Sequence, residues 1–312
     1  MKVYRQISDI DKMKGSILSI GSFDGVHLGH QKILETTKSL SLKYKAKAAI
    51  ISFYPSPFSF LYPEKFNGHI DTDLEKIDKV AQCGIDRFAI LRFNDKIRRI
   101  TAKVFLSDII VKYFEPKVIV IGYDHHFGLN REGGVQFLNK NKDKYDYQLI
   151  QIDAKKINKD KISSSKIRKL IIDRKVREAS KMLGSPFKIK GVVVKGEGLG
   201  ASIGFPTANI KFDELKLVPG NGVYFVRVII NSASLHLGMC NIGFRPTIND
   251  KNKELSCEVH ILDFNEKIYK KEIEIQFLDF FRLEKKFNSV NQLKKQLTID
   301  KNKCLEYSSN NV

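Results

Sequence analysis

Two histidines three residues apart, His27 and His30, follow a glycine-rich turn after the apolar run of residues 17–20. The run predicts a buried strand, and the apolar spacing over residues 28–44 predicts an amphipathic helix. Both imidazoles therefore lie on one face of a helix N-terminus, where free backbone N–H groups and the helix dipole favour phosphate. This arrangement indicates chemistry on a phosphate group.

A serine-rich helix start offers a second candidate phosphate site. Ser163 or Ser164 can cap the helix that follows and leave hydroxyl and backbone N–H groups for a phosphate. Arg168 emerges one turn later, where its guanidinium can bind phosphate through two N–H groups. Taken alone, the pattern is equally typical of a plain helix cap followed by a solvated arginine.

A glycine-rich loop in the second half of the chain can wrap phosphates with backbone N–H groups. It contains Gly196, Gly198 and Gly200 and leads into the hexapeptide of residues 204–209. No lysine followed by serine or threonine comes after it, which excludes a P-loop NTPase. The loop therefore predicts a phosphate site of another kind.

The elements that must position the first two motifs alternate between short apolar runs and helical periodicity up to about Gly184. This alternation predicts an α/β fold with a doubly wound parallel sheet, whose ligands bind at the carboxyl ends of strands. Gly21 and Gly122 end two of these strands and mark the expected crevice. The predicted strands are 17–20, 48–53, 88–91, 118–122 and 148–152, and the predicted helices are 28–44, 74–83 and 102–113.

After the tripeptide Gly184-Ser185-Pro186 the pattern changes from alternating strands and helices to short β-strand patterns. Alternating or β-branched runs separated by turn residues predict a small antiparallel β-barrel with a late helix. We therefore expect two domains, residues 1–184 and 185–312. The runs are 187–194, 223–230, 235–240, 257–262 and 273–277, and the helix is 290–297.

The net charge of the 312-residue chain is +19, from 54 basic and 35 acidic residues. Lysines are spread along the whole sequence, so we expect attraction of polyanionic small substrates rather than nucleic-acid binding. The sequence has no run of about 18 apolar residues, so we expect no membrane span. Four scattered cysteines without a CxxC pair suit a reducing cytosol, and we expect a cytoplasmic protein.

Residues 21–30, GSFDGVHLGH, resemble the signature of the nucleotidyltransferase superfamily, and residues 162–168 resemble its ISSTxIR element. The resemblance implies a Rossmann-like first domain that transfers an adenylyl group from ATP to a phosphate. It implies that His27 and His30 are catalytic donors to the phosphate oxygens. The residues that it implies in ATP binding are Gly21, Phe23, Asp24, Gly29, Ser163, Ser164 and Arg168.

Residues 204–209, GFPTAN, resemble a motif of riboflavin kinases. The resemblance implies that Thr207 and Asn209 contact Mg²⁺ and the ATP phosphates, with the loop glycines Gly196, Gly198 and Gly200 around them. The kinase reaction requires a base, because a neutral hydroxyl must lose its proton as it attacks phosphorus. Strand alternation places Glu258 and His260 on one face, in a segment that resembles the one carrying the family's catalytic glutamate.

Residues 122–134 resemble a stretch of the prokaryotic bifunctional riboflavin kinase/FAD synthetases, which implies flavin contacts by Asp124, Phe127 and Arg131. Arg282 lies in a segment that covers the flavin site in this family. The resemblance to the family extends over residues 17–300. It implies phosphorylation of riboflavin to FMN with ATP and Mg²⁺, and then adenylylation of FMN to FAD with release of pyrophosphate.

Two other functions remain open on the sequence alone. Tyr123, His125, His126 and Asp71 depart from the family pattern, which suits a riboflavin kinase with a weakened adenylyltransferase half. The basic charge suits a nucleic-acid-binding protein built on old enzyme domains. Incubation with riboflavin, ATP and Mg²⁺ separates the three hypotheses, because they predict FAD, FMN alone, or no flavin product.

Overall fold

The structure is a computed structural model that describes residues 1–196, 198–231, 234–245 and 254–311. The chain forms two compact units, Met1–Ser164 and Ser165–Val312.

The first unit contains a six-stranded sheet in which every neighbouring pair of strands is parallel. The strand order is β1-β4-β3-β2-β5-β6. The central strands β2 and β3 are fully buried and mostly aliphatic, as expected of a parallel sheet covered on both faces. The strands are β1 (Lys2–Tyr4), β2 (Ser16–Ile20), β3 (Ala48–Phe53), β4 (Arg87–Leu91), β5 (Pro116–Gly122) and β6 (Gln148–Ile152), followed by a two-stranded hairpin of β7 (Lys156–Ile157) and β8 (Asp160–Lys161).

Helices cover both faces of this sheet. Consecutive strand residues such as Ile17 and Leu18 belong to two different hydrophobic clusters, one on each face. This confirms the doubly wound α/β fold. The helices are α1 (Leu28–Lys43), α2 (Pro57–Leu61), α3 (Asp73–Gln82), α4 (Asp95–Arg98), α5 (Ala102–Val104), a π-helix (Phe105–Phe114) and α6 (Val135–Asn141), with short 3₁₀ turns at Ile7–Asp9, Pro63–Lys65 and Leu129–Arg131.

The predicted strands of this unit are confirmed to within about two residues at their ends. Strand β1 was not predicted, because three residues are too few to show a period. The helix predicted over 102–113 is one turn of α-helix followed by a π-helix. A ten-residue apolar segment cannot distinguish these two helical periods by pattern.

The second unit is a closed six-stranded antiparallel barrel in the order β10-β13-β12-β11-β14-β9. Its strands are β9 (Phe187–Val194), β10 (Ala208–Phe212), β11 (Gly222–Ile230), β12 (Ser234–Arg245), β13 (Glu254–Ile261) and β14 (Glu272–Arg282). Its helices are α7 (Ser164–Ile172), which starts at the last residue of the first unit, α8 (Val176–Leu183), α9 (Leu199–Ser202) and α10 (Val290–Asn311).

The barrel and its late helix are confirmed, and several elements are longer than predicted. Helix α10 continues to Asn311, well beyond the predicted end at residue 297. Its later apolar positions are sparse in sequence, but Cys304 is buried in a cluster with Phe225 and Met239 of the barrel. Tertiary burial therefore extends the helix where local periodicity is weak.

Candidate active sites

The first site lies where the order of the parallel strands reverses. Strand β2 has β3 on one side and β5 on the other, so β2 and β5 flank the switch point of the sheet. Ligands of doubly wound sheets bind in the crevice outside this point. Gly21 and Gly122 stand at the carboxyl ends of these two strands, as predicted.

His27 and His30 are packed together at the start of α1. His27 is the N-cap residue, and its Nδ1 accepts a hydrogen bond of 3.2 Å from the backbone N–H of His30. The two rings stack with centroids 3.6 Å apart and planes 14° apart. A side chain at Gly29 would place its Cβ 3.2 Å from the His27 ring, so glycine permits this close approach.

Both histidines are neutral at physiological pH. Burial lowers the pKa of His27 to about 4, and His27 is only 5% exposed. Burial also lowers the pKa of His30 well below its ordinary value, with further lowering from His27 and Lys76. Because Nδ1 of His27 is an acceptor, its proton is on Nε2, which can donate to an anion. The pair is thus suited to hydrogen-bond donation rather than to proton transfer.

A buried polar network braces the turn before α1. The Asp24 carboxylate accepts from the backbone N–H of Asp71 at 3.2 Å, and its carbonyl accepts from the Ser164 hydroxyl at 2.9 Å. Asp71 in turn pairs with Lys79 at 2.6 Å, and Lys79 donates to the carbonyl of Gly25 at 3.4 Å. Asp71, noted above only as a departure from the family pattern, therefore helps to anchor this turn.

Lys76 is a residue of this region that the sequence analysis missed. It is only 1% exposed, and burial lowers its pKa against the opposing effect of Asp24, Asp73 and Asp71. No sequence signal separated it from the other lysines, because a charged residue on an amphipathic helix is typical of the solvent face.

The predicted ATP-binding residues Phe23, Ser163 and Arg168 take different positions. Phe23 is buried in a hydrophobic cluster of the first unit with a left-handed backbone, φ 48°. Ser163 directly precedes α7, and Arg168 lies on α7 in the second unit. Their contacts with ATP stay predictions.

The predicted flavin residues Asp124, Phe127 and Arg131 lie in the loop after β5. Phe127 is buried, with its ring centroid 5.3 Å from that of Phe105, and it exchanges backbone hydrogen bonds with Gly133. Asp124 and Arg131 are exposed, and Arg131 lies 3.3 Å from Nδ1 of His126. The loop is thus anchored by its aromatic residue and presents its charged residues to solvent.

The second site is a cavity of about 520 Å³ on the barrel. It brings together residues that are far apart in sequence, and six of the predicted site residues line it: Gly198, Gly200, Thr207, Asn209, Glu258 and Arg282. Ser256, Glu258 and His260 alternate along β13 and all line the cavity, which confirms the predicted face. Gly196 is also at this site, because an added Cβ there would lie 2.0 Å from Nδ2 of Asn209.

Three polar side chains form a row across neighbouring strands. Asn209 on β10 and Asn241 on β12 are both register partners of Glu258 on β13. Register partners project to the same face of a sheet, so Glu258 is flanked by two amides. The sequence analysis did not assign Asn241 to the site, since only strand pairing places it beside Glu258.

The loop that carries Thr207 is fixed by His260. Nδ1 of His260 donates to the carbonyl of Pro206 at 2.8 Å, because a carbonyl oxygen can only accept. Burial lowers the pKa of His260. His260 is therefore a neutral residue that orients the loop.

Arg282 lies at the end of β14 and lines the cavity, but much of its guanidinium is bound to Asp300 of α10. A second acid, Glu284, accepts from the amide of Asn241 at 3.1 Å and also lines the cavity. The segment that follows β14 is thus held by contacts to both β12 and α10.

Paired neutral imidazoles at a strand-to-helix turn suit nucleotidyl transfer, and a cavity with a carboxylate, a hydroxyl and amides suits phosphoryl transfer to an alcohol. The chain thus falls in the class of two-domain transferases of phosphorus-containing groups. A family profile described as FAD synthetase matches residues 9–166, and one described as riboflavin kinase matches residues 183–308. The chain belongs to the family of bifunctional riboflavin kinase/FMN adenylyltransferases, as its sequence motifs predicted.

Relatives from several bacteria carry that name. The protein of Listeria monocytogenes is 37% identical, over 94% of this chain and 91% of the relative. The protein of Buchnera aphidicola subsp. Schizaphis graminum is 36% identical, over 96% of each chain.

A solved structure described as a macrolide-efflux protein from Streptococcus pneumoniae matches with a TM-score of 0.87 and 32% identity, over 96% of this chain and 97% of that chain. In the described part of the present chain, no helix is long and apolar enough to cross a bilayer.

Proposed function

We infer that this chain phosphorylates riboflavin with ATP to give FMN, and then transfers an adenylyl group from a second ATP to FMN to give FAD and pyrophosphate. The observation that carries this function is the barrel cavity, where Thr207, Asn209 and Glu258 converge from separate segments. Family membership supports both activities and their flavin and ATP substrates.

In the kinase site, Glu258 is the general base. The 5′-hydroxyl oxygen of riboflavin attacks the γ-phosphorus of ATP, the bond from that phosphorus to the bridging oxygen breaks, and ADP leaves. The hydroxyl proton passes to the Glu258 carboxylate. Glu258 lies in register with Asn209 and Asn241 and lines the cavity with both of them, which supports the assignment.

Thr207 and Asn209 would hold Mg²⁺ in this cavity, with the glycines Gly196, Gly198 and Gly200 around the phosphates. Their hydroxyl and amide oxygens are hard ligands of the kind that Mg²⁺ prefers, and a site with few protein ligands leaves positions for phosphate oxygens and water. When bound, the ion neutralises charge on the phosphates. Arg282, which lines the same cavity from the end of β14, binds the flavin.

In the adenylyl-transfer site, the FMN phosphate attacks as an anion, so no base is needed. The oxygen bonds to the α-phosphorus of ATP, and pyrophosphate leaves. His27 and His30 donate N–H groups to the developing charge. Further ATP contacts come from the turn and the α7 start (Gly21, Phe23, Asp24, Gly29, Ser163, Ser164 and Arg168), and flavin contacts come from Asp124, Phe127 and Arg131.

We place the boundary between the two functional domains at residues 184 and 185. The buried face of α8 packs against β14, so the contacts of the chain group this helix with the barrel. A fragment of residues 165–312 should therefore unfold at a higher temperature than one of residues 185–312, and both should form FMN. The four free cysteines support a cytoplasmic location.

The test is one incubation with riboflavin, ATP and Mg²⁺, followed by separation of the flavins. FAD supports the full reaction sequence, and FMN without FAD supports a kinase whose adenylyltransferase half is weakened. Absence of any product, together with salt-sensitive RNA binding, would overturn the proposal.

A further inference from the structure

A buried ion pair joins the end of β14 to α10 beside the kinase cavity. Nε of Arg282 donates to the two carboxylate oxygens of Asp300 at 3.1 and 3.0 Å, and Nη2 donates to Oδ2 at 2.7 Å. Asp300 is completely buried, and Gln296 donates to its Oδ1 at 2.9 Å. Its carboxylate is therefore held from two directions.

These bonds leave part of the guanidinium available. Nη1 of Arg282 donates to the carbonyl of Leu283 at 3.1 Å, so contacts among the described residues use three of its five N–H groups and leave two. The side chain is 14% exposed and lines the cavity. The remaining N–H groups thus have a fixed direction, because a forked arginine–carboxylate pair sets the plane of the guanidinium.

We propose that Asp300 is a positioning residue for the flavin: it holds Arg282 in the orientation that binds riboflavin in the kinase cavity. The proposal rests on the kinase function inferred above and adds a residue to it. Leu293 and Leu297 of α10 already pack against the barrel in a hydrophobic cluster. A buried ion pair is a costly way to attach a helix that has such a face, and its particular contribution is the direction of the guanidinium.

The test compares two matched Asp→Asn variants in the full chain. Asp300→Asn keeps the shape of the side chain but turns an NH₂ group toward Arg282. Asp263→Asn removes a charge that lies 3.9 Å from Lys301 of the same helix, but Asp263 is exposed. We expect Asp300→Asn to raise the KM for riboflavin by about 10- to 100-fold, with little change in the KM for ATP. Asp263→Asn should behave as wild type.

A second pair of variants tests whether Asp300 acts through Arg282. In an Arg282→Lys background the forked arginine–carboxylate pair is absent. There, Asp300→Asn should raise the KM for riboflavin by less than about twofold. If Asp300→Asn does not fold, Gln296→Leu keeps both charges and removes one of the two hydrogen bonds that Oδ1 of Asp300 accepts, so it should raise the riboflavin KM to a smaller extent.

Equal rises in both KM values, full additivity with Arg282→Lys, or an unchanged riboflavin KM in Gln296→Leu would overturn the proposal. A wild-type chain that forms no FMN would instead contradict the kinase function itself.

Discussion

Gly196→Ala should disable the kinase while leaving the barrel folded. The added Cβ would lie 2.0 Å from Nδ2 and 2.7 Å from Cγ of Asn209, and carbon atoms at Cβ positions essentially never approach closer than 3.0 Å. The Asn209 amide must therefore move by about 1 Å, the difference between 3.0 and 2.0 Å. Asn209 is only 7% exposed and is paired in register with Glu258, so this movement disturbs the proposed base and metal ligand together.

A displacement of about 1 Å at reacting groups can lower a rate by about 10²-fold, or about 2.7 kcal/mol in activation free energy. The collision is with the end of a side chain rather than with backbone, so we expect little change in the midpoint of thermal unfolding. The assay is FMN formation from riboflavin, with FAD formation from supplied FMN as the internal reference for the other unit.

The control uses the Asn209→Ala background, in which the colliding atoms are absent. There, Gly196→Ala should lower FMN formation by less than about twofold, because non-additivity identifies a shared cause. Wild-type FMN formation in the single Gly196→Ala variant, or an equal loss in both backgrounds, would refute the reasoning.

Three further predictions concern the two sites. Replacing His27 or His30 with alanine should lower FAD formation from FMN by about 10²- to 10³-fold while FMN formation continues, and equal loss of both activities would contradict the assignment. Glu258→Gln should lower FMN formation by about 10²- to 10⁴-fold without affecting FAD formation from FMN, and a wild-type kinase rate would remove Glu258 from the mechanism. Because burial lowers the pKa of His27 to about 4, stability from its neutral form is present above pH 6.5 and is lost as the pH falls toward 4, by about 3 kcal/mol. Urea unfolding should therefore show a smaller fall in the free energy of unfolding between pH 6.5 and pH 4 in His27→Ala than in wild type. Equal falls in the two proteins would contradict the buried, neutral state of His27.

Local patterns predicted those strands and helices whose own residues show the hydrophobic run or period of the element. Strand β3 was predicted at residues 48–53, and the structure has Ala48–Phe53. Such aliphatic runs are buried wherever the sheet places them, so the prediction needs no tertiary information. The placement of His27 and His30 at a helix N-terminus could also be predicted, because the strand, the glycine turn and the helix are consecutive in the chain.

Helix α3 shows where the pattern misleads. Leu74 is 71% exposed, whereas Lys76 two residues later is 1% exposed. Hydrophobic periodicity assigns the opposite faces to these two residues. The buried lysine is stabilised in its charged form by Asp24 and Asp71, two buried carboxylates outside the helix, and by Asp73 at the helix start.

The sequence by itself determined the class of fold and the family, and it supplied the candidate reactive groups, because these depend on residue types at short spacing. Only the tertiary structure decided which distant groups meet. The pairing of β12 with β13 sets Asn241 beside Glu258, and the packing of α10 places Asp300 beside Arg282. Strand register and helix docking are set by packing over the whole unit, and one residue of slip would reverse every face.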